Sequence, residues 1–134
     1  MEGEKKQRVA LPFTLASVKA LCSALGCQVS GNLNETLAGS ISGLVEYAKE
    51  NRLPLRAVRL PEGVKGIATN ANWFNANPLL EETDKNERLK VRLQVERALT
   101  YAIVTACKFT KESGRKIVSG NTVQIVLEGL GVDE

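Results

Sequence analysis

The sequence predicts an all-α chain. Apolar residues recur at intervals of three and four over long stretches, the period of one helix face. Capping residues stand just ahead of these stretches and glycines just behind them. The composition, 43% hydrophobic and 25% charged over 134 residues, is that of a folded globular chain. That length suits one ordinary domain or two very small ones.

Residues 1–10 form a polar lead-in of mixed charge. Pro12 is tolerated at a helix entrance, where the first N–H groups have no helical partner. Leu15, Val18, Leu21, Cys22 and Leu25 then mark one face of a short first helix, and Gly26 stops it. After a connector at 27–31, Asn32 with Glu35 forms a near capping box for a second helix. Its apolar face is Leu33, Leu37, Ile41, Leu44, Val45 and Ala48, and Gly39 and Gly43 could admit a second backbone. Pro54 and Pro61 then break the pattern, residues 56–60 alternate like a strand, and 64–71 suit another short helix. Trp73, Phe74 and Pro78 read as an anchored loop or single turn.

The strongest segment is the helix expected over 85–113, about 40 Å long at 1.5 Å per residue. Asp84 caps it with Glu87 at the third position, and Gly114 ends it. Its stripe is Leu89, Leu93, Val95, Leu99, Ala102, Ile103, Ala106 and Phe109. That stripe is too broad for a solitary surface helix and calls for a partner, from this chain or another. An extended piece at 115–118 leads to Ser119, which caps a final helix carrying Val123, Ile125, Val126, Leu127 and Leu130.

Composition narrows function. The chain has no histidine, which removes the usual general base and the commonest metal ligand. Aromatic residues make up only 4%, too few for a base-stacking platform. A net charge of +3 permits nucleic-acid binding without demanding it. Cys22, Cys27 and Cys107 lack metal-ligand spacing and read as small apolar packers in a reducing compartment. No apolar run is long enough to span a membrane, and the start lacks a signal pattern. No phosphate loop occurs, since residues 63–66 lack the spacing and the Lys-Ser/Thr ending. Asp84, Glu87 and Glu96 have no partner constellation, so no enzyme, cofactor or small-molecule substrate is expected.

Two stretches resemble a known family. The long helix, then Gly114-Arg115-Lys116-Ile117-Val118-Ser119, then a short helix through Val123 is similar to the end of a histone fold. The match extends to archaeal and core histones and to the histone-like subunits of nuclear factor Y, whose ending also resembles residues 127–132. At the front, Leu11-Pro12-Phe13, Val18-Lys19 and Val29-Ser30 resemble the first helix and first loop of archaeal histones. Thr122 stands where the family has an Asp that clamps the loop arginine, here Arg115.

A single histone fold has one central helix, whereas this chain has two candidates. The preferred explanation is a tandem of two histone-like halves, 11–80 and 81–134, forming a pseudo-dimer. The alternative is one histone fold with an insertion at about 31–83. The tandem is supported by a weak internal echo, Tyr47-Ala48-Lys49-Glu50 against Phe109-Thr110-Lys111-Glu112.

The resemblance implies an architectural protein that binds duplex DNA largely without sequence preference, in a nucleus, nucleoid or viral particle. Arg115 and Lys116 match the second-loop contacts beside the Ser119 cap, with Arg52, Arg56 and Arg59 as counterparts and Lys19 on the first helix. Alternatively, Arg115 and Lys116 simply offset the dipole at the end of the long helix. Leu93, Leu99, Ile103, Ala106 and Phe109 are the expected dimerisation residues. A second possibility is a heterodimerisation module for another histone-fold protein, with little direct DNA contact.

Overall fold

The computed structural model describes residues 12–50 and 60–129. Of these, 66% are helical. The order is α1 (Leu15–Ala24), β1 (Gln28–Val29), α2 (Leu33–Lys49), α3 (Ala71–Asn75), a 3-10 turn (Pro78–Leu80), α4 (Lys85–Glu112), β2 (Ile117–Val118) and α5 (Gly120–Glu128). Residues 51–59, with the predicted strand-like segment, lie outside the described residues, as does Leu130.

α4 is the axis of the molecule. α1, α2, α3, β2 and α5 all pack on it, and α2 and α5 also pack on each other. Asp84 Oδ1 accepts from Glu87 N at 2.8 Å, as the capping pattern predicts, and Gly114 takes φ 77° just past the helix end. Val91, Val95, Ala98, Leu99, Ala102, Ile103, Ala106 and Cys107 are buried along one side. Small residues at 98, 102 and 106 let the neighbouring helices come close. The two buried threonines of this face meet their needs locally: the Thr100 and Thr110 hydroxyls donate to the carbonyls of Glu96 and Ala106 at 2.9 and 2.8 Å.

The predicted stripe is therefore partly misplaced. Leu99, Ile103 and Ala106 are fully buried, and the chain's own helices bury them. Leu89, Leu93 and Phe109 are about half exposed, at 49%, 52% and 48%. Leu93 projects away from the side that Val95 occupies, since two residues are just over half a turn. Phe109 keeps phase with Val91 and Val95 but falls in the last turn, where it borders an open groove with Tyr101, Ile125 and Val126.

α2 buries the six residues that its periodicity selects, Leu33, Leu37, Ile41, Leu44, Val45 and Ala48. Gly39 does not admit another backbone, because a Cβ there would face open space. In α1, Val18, Leu21 and Cys22 are buried, whereas Leu15 is 46% exposed. Thr14 makes the cap, accepting from Ser17 N at 3.3 Å. Gly26 stops the helix at φ 83°.

The helix expected over 64–71 does not form. Residues 66–70 run instead as a strap between the lead into α1 and the side of α4. Thr14 N donates to Ala68 O at 2.9 Å, Asn70 N donates to Pro12 O at 2.8 Å, and Phe13 bridges Thr69. On the other side, Ile67 N donates to Thr100 Oγ1 at 3.0 Å, and Thr69 Oγ1 donates to Glu96 Oε2 at 2.8 Å. These bonds satisfy the backbone groups that a helix would have paired internally. Gly66 is required here, since a Cβ would sit 2.8 Å from Thr100 Oγ1.

The aromatic pair anchors a single short helix, α3, as expected of it. Phe74 is buried, Trp73 is half-buried, and the rings meet edge to face with centroids 4.9 Å apart at 72°.

Candidate nucleic-acid interface

The two loops singled out in the sequence meet. β1 and β2 pair in parallel, Gln28 opposite Ile117 and Val29 opposite Val118. Gln28 N donates to Lys116 O at 2.7 Å, and Ser30 N donates to Val118 O at 3.1 Å. Val118 seals the underside of the ladder, fully buried, while Ile117 remains 53% exposed. The connector at 27–31 therefore contains a strand, which pairs with the expected extended piece.

Two helices start at the end of this ladder. Ser119 caps α5, its hydroxyl accepting from Thr122 N at 3.3 Å and bonding the Thr122 hydroxyl at 3.1 Å. Asn32 precedes α2, but its side chain does not cap that helix as predicted. Asn32 Oδ1 accepts instead from Gly120 N at 3.1 Å and from the Ser30 hydroxyl at 2.6 Å. The first turns of α2 and α5 thus abut, and Gly120 has no room for a Cβ against the Thr36 hydroxyl and the Asn32 carbonyl. Both helix dipoles present their positive ends here.

Arg115 and Lys116 are exposed on the turn between Gly114 and β2. Thr122 carries no carboxylate for Arg115, and its hydroxyl is engaged with Ser119. Lys19 is exposed on α1, next to buried Val18. Arg52, Arg56 and Arg59 lie outside the described residues. Two further cations, Lys108 and Lys111, are exposed near the end of α4. Lys111 Nζ donates to Leu25 O at 3.2 Å, holding the end of α1 against α4. Their signal in the sequence is the basic last turns of the long helix. The arrangement offers an anion exposed cations beside the positive ends of two helix dipoles, an electrostatic rather than a reactive capability.

The three cysteines are buried and free, behind this face. The Cys27 thiol donates to the Cys107 carbonyl at 3.7 Å, and the Cys107 thiol is hydrogen-bonded to Cys22. That hydrogen bond, followed by burial, pushes the Cys107 thiol far above its ordinary range and keeps it protonated. Among the described residues, no group of three or more Cys, Asp and Glu is placed to hold a metal ion. Among the same residues, no helix is long and apolar enough to cross a membrane. No family model, curated protein or solved structure was found to match the chain.

Proposed function

We propose that the chain is a histone-like architectural protein, two histone-type halves in one polypeptide, that holds duplex DNA largely without reading its sequence. One observation carries this reading: the parallel ladder between Gln28–Val29 and Ile117–Val118. Paired histone-type units set a loop of one beside a loop of the other, with helix N-termini next to both. Here the loop after α1, which resembles the first loop of a histone, is hydrogen-bonded to the loop after α4, which resembles the last. The burial of Leu99, Ile103 and Ala106 by helices of the same chain suits a pseudo-dimer that supplies its own partner. Exposed Arg115 and Lys116 then serve as backbone contacts beside Ser119 and the start of α5. Such a protein works in a nucleus, a nucleoid or a viral particle, and no catalysis belongs to this reading.

The test is duplex affinity as a function of salt. Arg115→Ala with Lys116→Ala should weaken binding to unrelated duplexes by similar factors and flatten the salt slope by roughly 1–2 units. Unchanged affinity at low salt, in a protein that still folds, rejects the reading.

A second reading is a heterodimerisation module with little DNA contact. It is favoured by the groove of about 200 Å³ between α4 and α5, bordered by half-exposed Phe109 and by Ile125 at 65% exposure. In that case the same double substitution leaves duplex binding unchanged, and Phe109→Asp abolishes capture of the partner.

A further inference from the structure

At the far end of α4 from the ladder, a cleft of about 310 Å³ opens between α3 and the first turns of α4. Phe74 and Asn75 form one wall, and Lys85, Asn86, Arg88 and Arg92 form the other. Among the described residues, no carboxylate lines it. Three cationic side chains of the first two turns thus line one concavity.

The hydrogen bonds inside the cleft are incomplete. Arg92 Nε donates to Thr69 Oγ1 at 2.8 Å, which fixes that guanidinium against the strap. Arg88 Nε is buried from solvent and has no hydrogen-bond partner. A guanidinium N–H removed from water without an acceptor is costly, and more so because the group is charged. An acceptor-rich anion in the cleft would meet this need. It would also offset the positive charges of Lys85, Arg88 and Arg92.

We propose that this cleft is a phosphate-binding site, separate from the Arg115–Lys116 turn. Phosphate fits better than a single carboxylate for two reasons. It can carry two negative charges against three cations, and it presents enough oxygens for a guanidinium fork, an ammonium and the amides of Asn75 and Asn86 together. The site takes its phosphate either from a free phosphate compound or from a nucleic-acid backbone. It is read from the cleft alone and does not depend on the duplex-binding proposal.

The experiment follows the Arg88 Nε–H resonance by NMR in the full chain, assigned by its loss in Arg88→Lys. Inorganic phosphate is one titrant and a short DNA duplex at low salt is the other. A saturable shift with inorganic phosphate, weakened about tenfold or more in Lys85→Gln, supports a site for free phosphate. A shift with duplex only, weakened by the same substitution, supports a backbone-phosphate contact. Lys85 is exposed, so its variant tests the site while keeping the Arg88 resonance and the packing around it. No response of the resonance to either titrant overturns the proposal. So does phosphate binding that Lys85→Gln leaves unchanged. Arg115→Ala with Lys116→Ala should leave the inorganic phosphate response intact, which separates this site from the proposed duplex interface.

Discussion

Asn32 Oδ1 accepts a hydrogen bond from Gly120 N at 3.1 Å across 88 residues of sequence. The residue placed to cap α2 instead satisfies a free N–H at the start of α5, and so joins the two helices that flank the β1–β2 ladder. Ser30 donates to the same oxygen at 2.6 Å. Asn32→Ala should cost about 1–2 kcal/mol in chemical denaturation, because Gly120 N loses its acceptor. Asn32→Asp keeps the acceptor and should retain most of the stability, while its new charge weakens duplex binding. A fully stable Asn32→Ala protein would mean that the bond does not hold the helices together.

Leu99 sits in the middle of the α4 contact face and is fully buried. Leu99→Ala should cost roughly 2–5 kcal/mol, as deletion of a buried Leu leaves a cavity that neighbours only partly fill. Leu93→Ala, at 52% exposure, should cost far less. Equal losses at the two positions would show that the buried face of α4 is not the one described.

Gly66 and Thr100 are matched to each other. A methyl group at Gly66 would press on the Thr100 hydroxyl, which already receives Ile67 N. Gly66→Ala should cost roughly 1–3 kcal/mol through overpacking and displacement of the strap. The cost should shrink in a Thr100→Ala background, which removes the obstructing side chain. Thermal unfolding of the four proteins in this cycle measures the coupling, and additive effects would exclude it.

The Cys107 thiol predicts an alkaline limit to stability. Its folded pKa lies well above the ordinary 9.0, first through the hydrogen bond to Cys22 and then through burial. The folded state therefore holds a proton that the unfolded state releases above about pH 9. Its stabilising effect is fully present below that value and is lost progressively as pH rises past it. One such proton gives a slope of at most about 1.4 kcal/mol per pH unit. The same hydrogen bond holds Cys22 below its ordinary value, so the two thiols are tested together: urea titrations between about pH 8 and 10 should show stability falling more steeply in the wild type than in a Cys22→Ala, Cys107→Ala double variant.

Much of the helical scaffold was legible because its signals are local. Asp84 and Ser119 cap α4 and α5, Gly26 and Gly114 stop α1 and α4 at positive φ, and all six predicted α2 residues are buried. Capping, turn geometry and periodicity depend on neighbours within a few residues, so the sequence carries them openly. Three things depended on distant partners. The strap at 66–70 is extended, not helical, because Thr100, Glu96 and Pro12 supply the hydrogen bonds that a helix would have made internally. The buried side of α4 is chosen by what packs on it, which leaves Leu89 and Leu93 outside and takes in Val91 and Thr100. In the same way Asn32 serves α5 and not its own helix, and the cleft at Arg88 exists only because α3 folds back beside α4. The sequence by itself determined where α1 stops, where α4 begins and ends and where α5 begins; the tertiary structure decided which faces and polar groups meet, because those contacts join residues that no local pattern links.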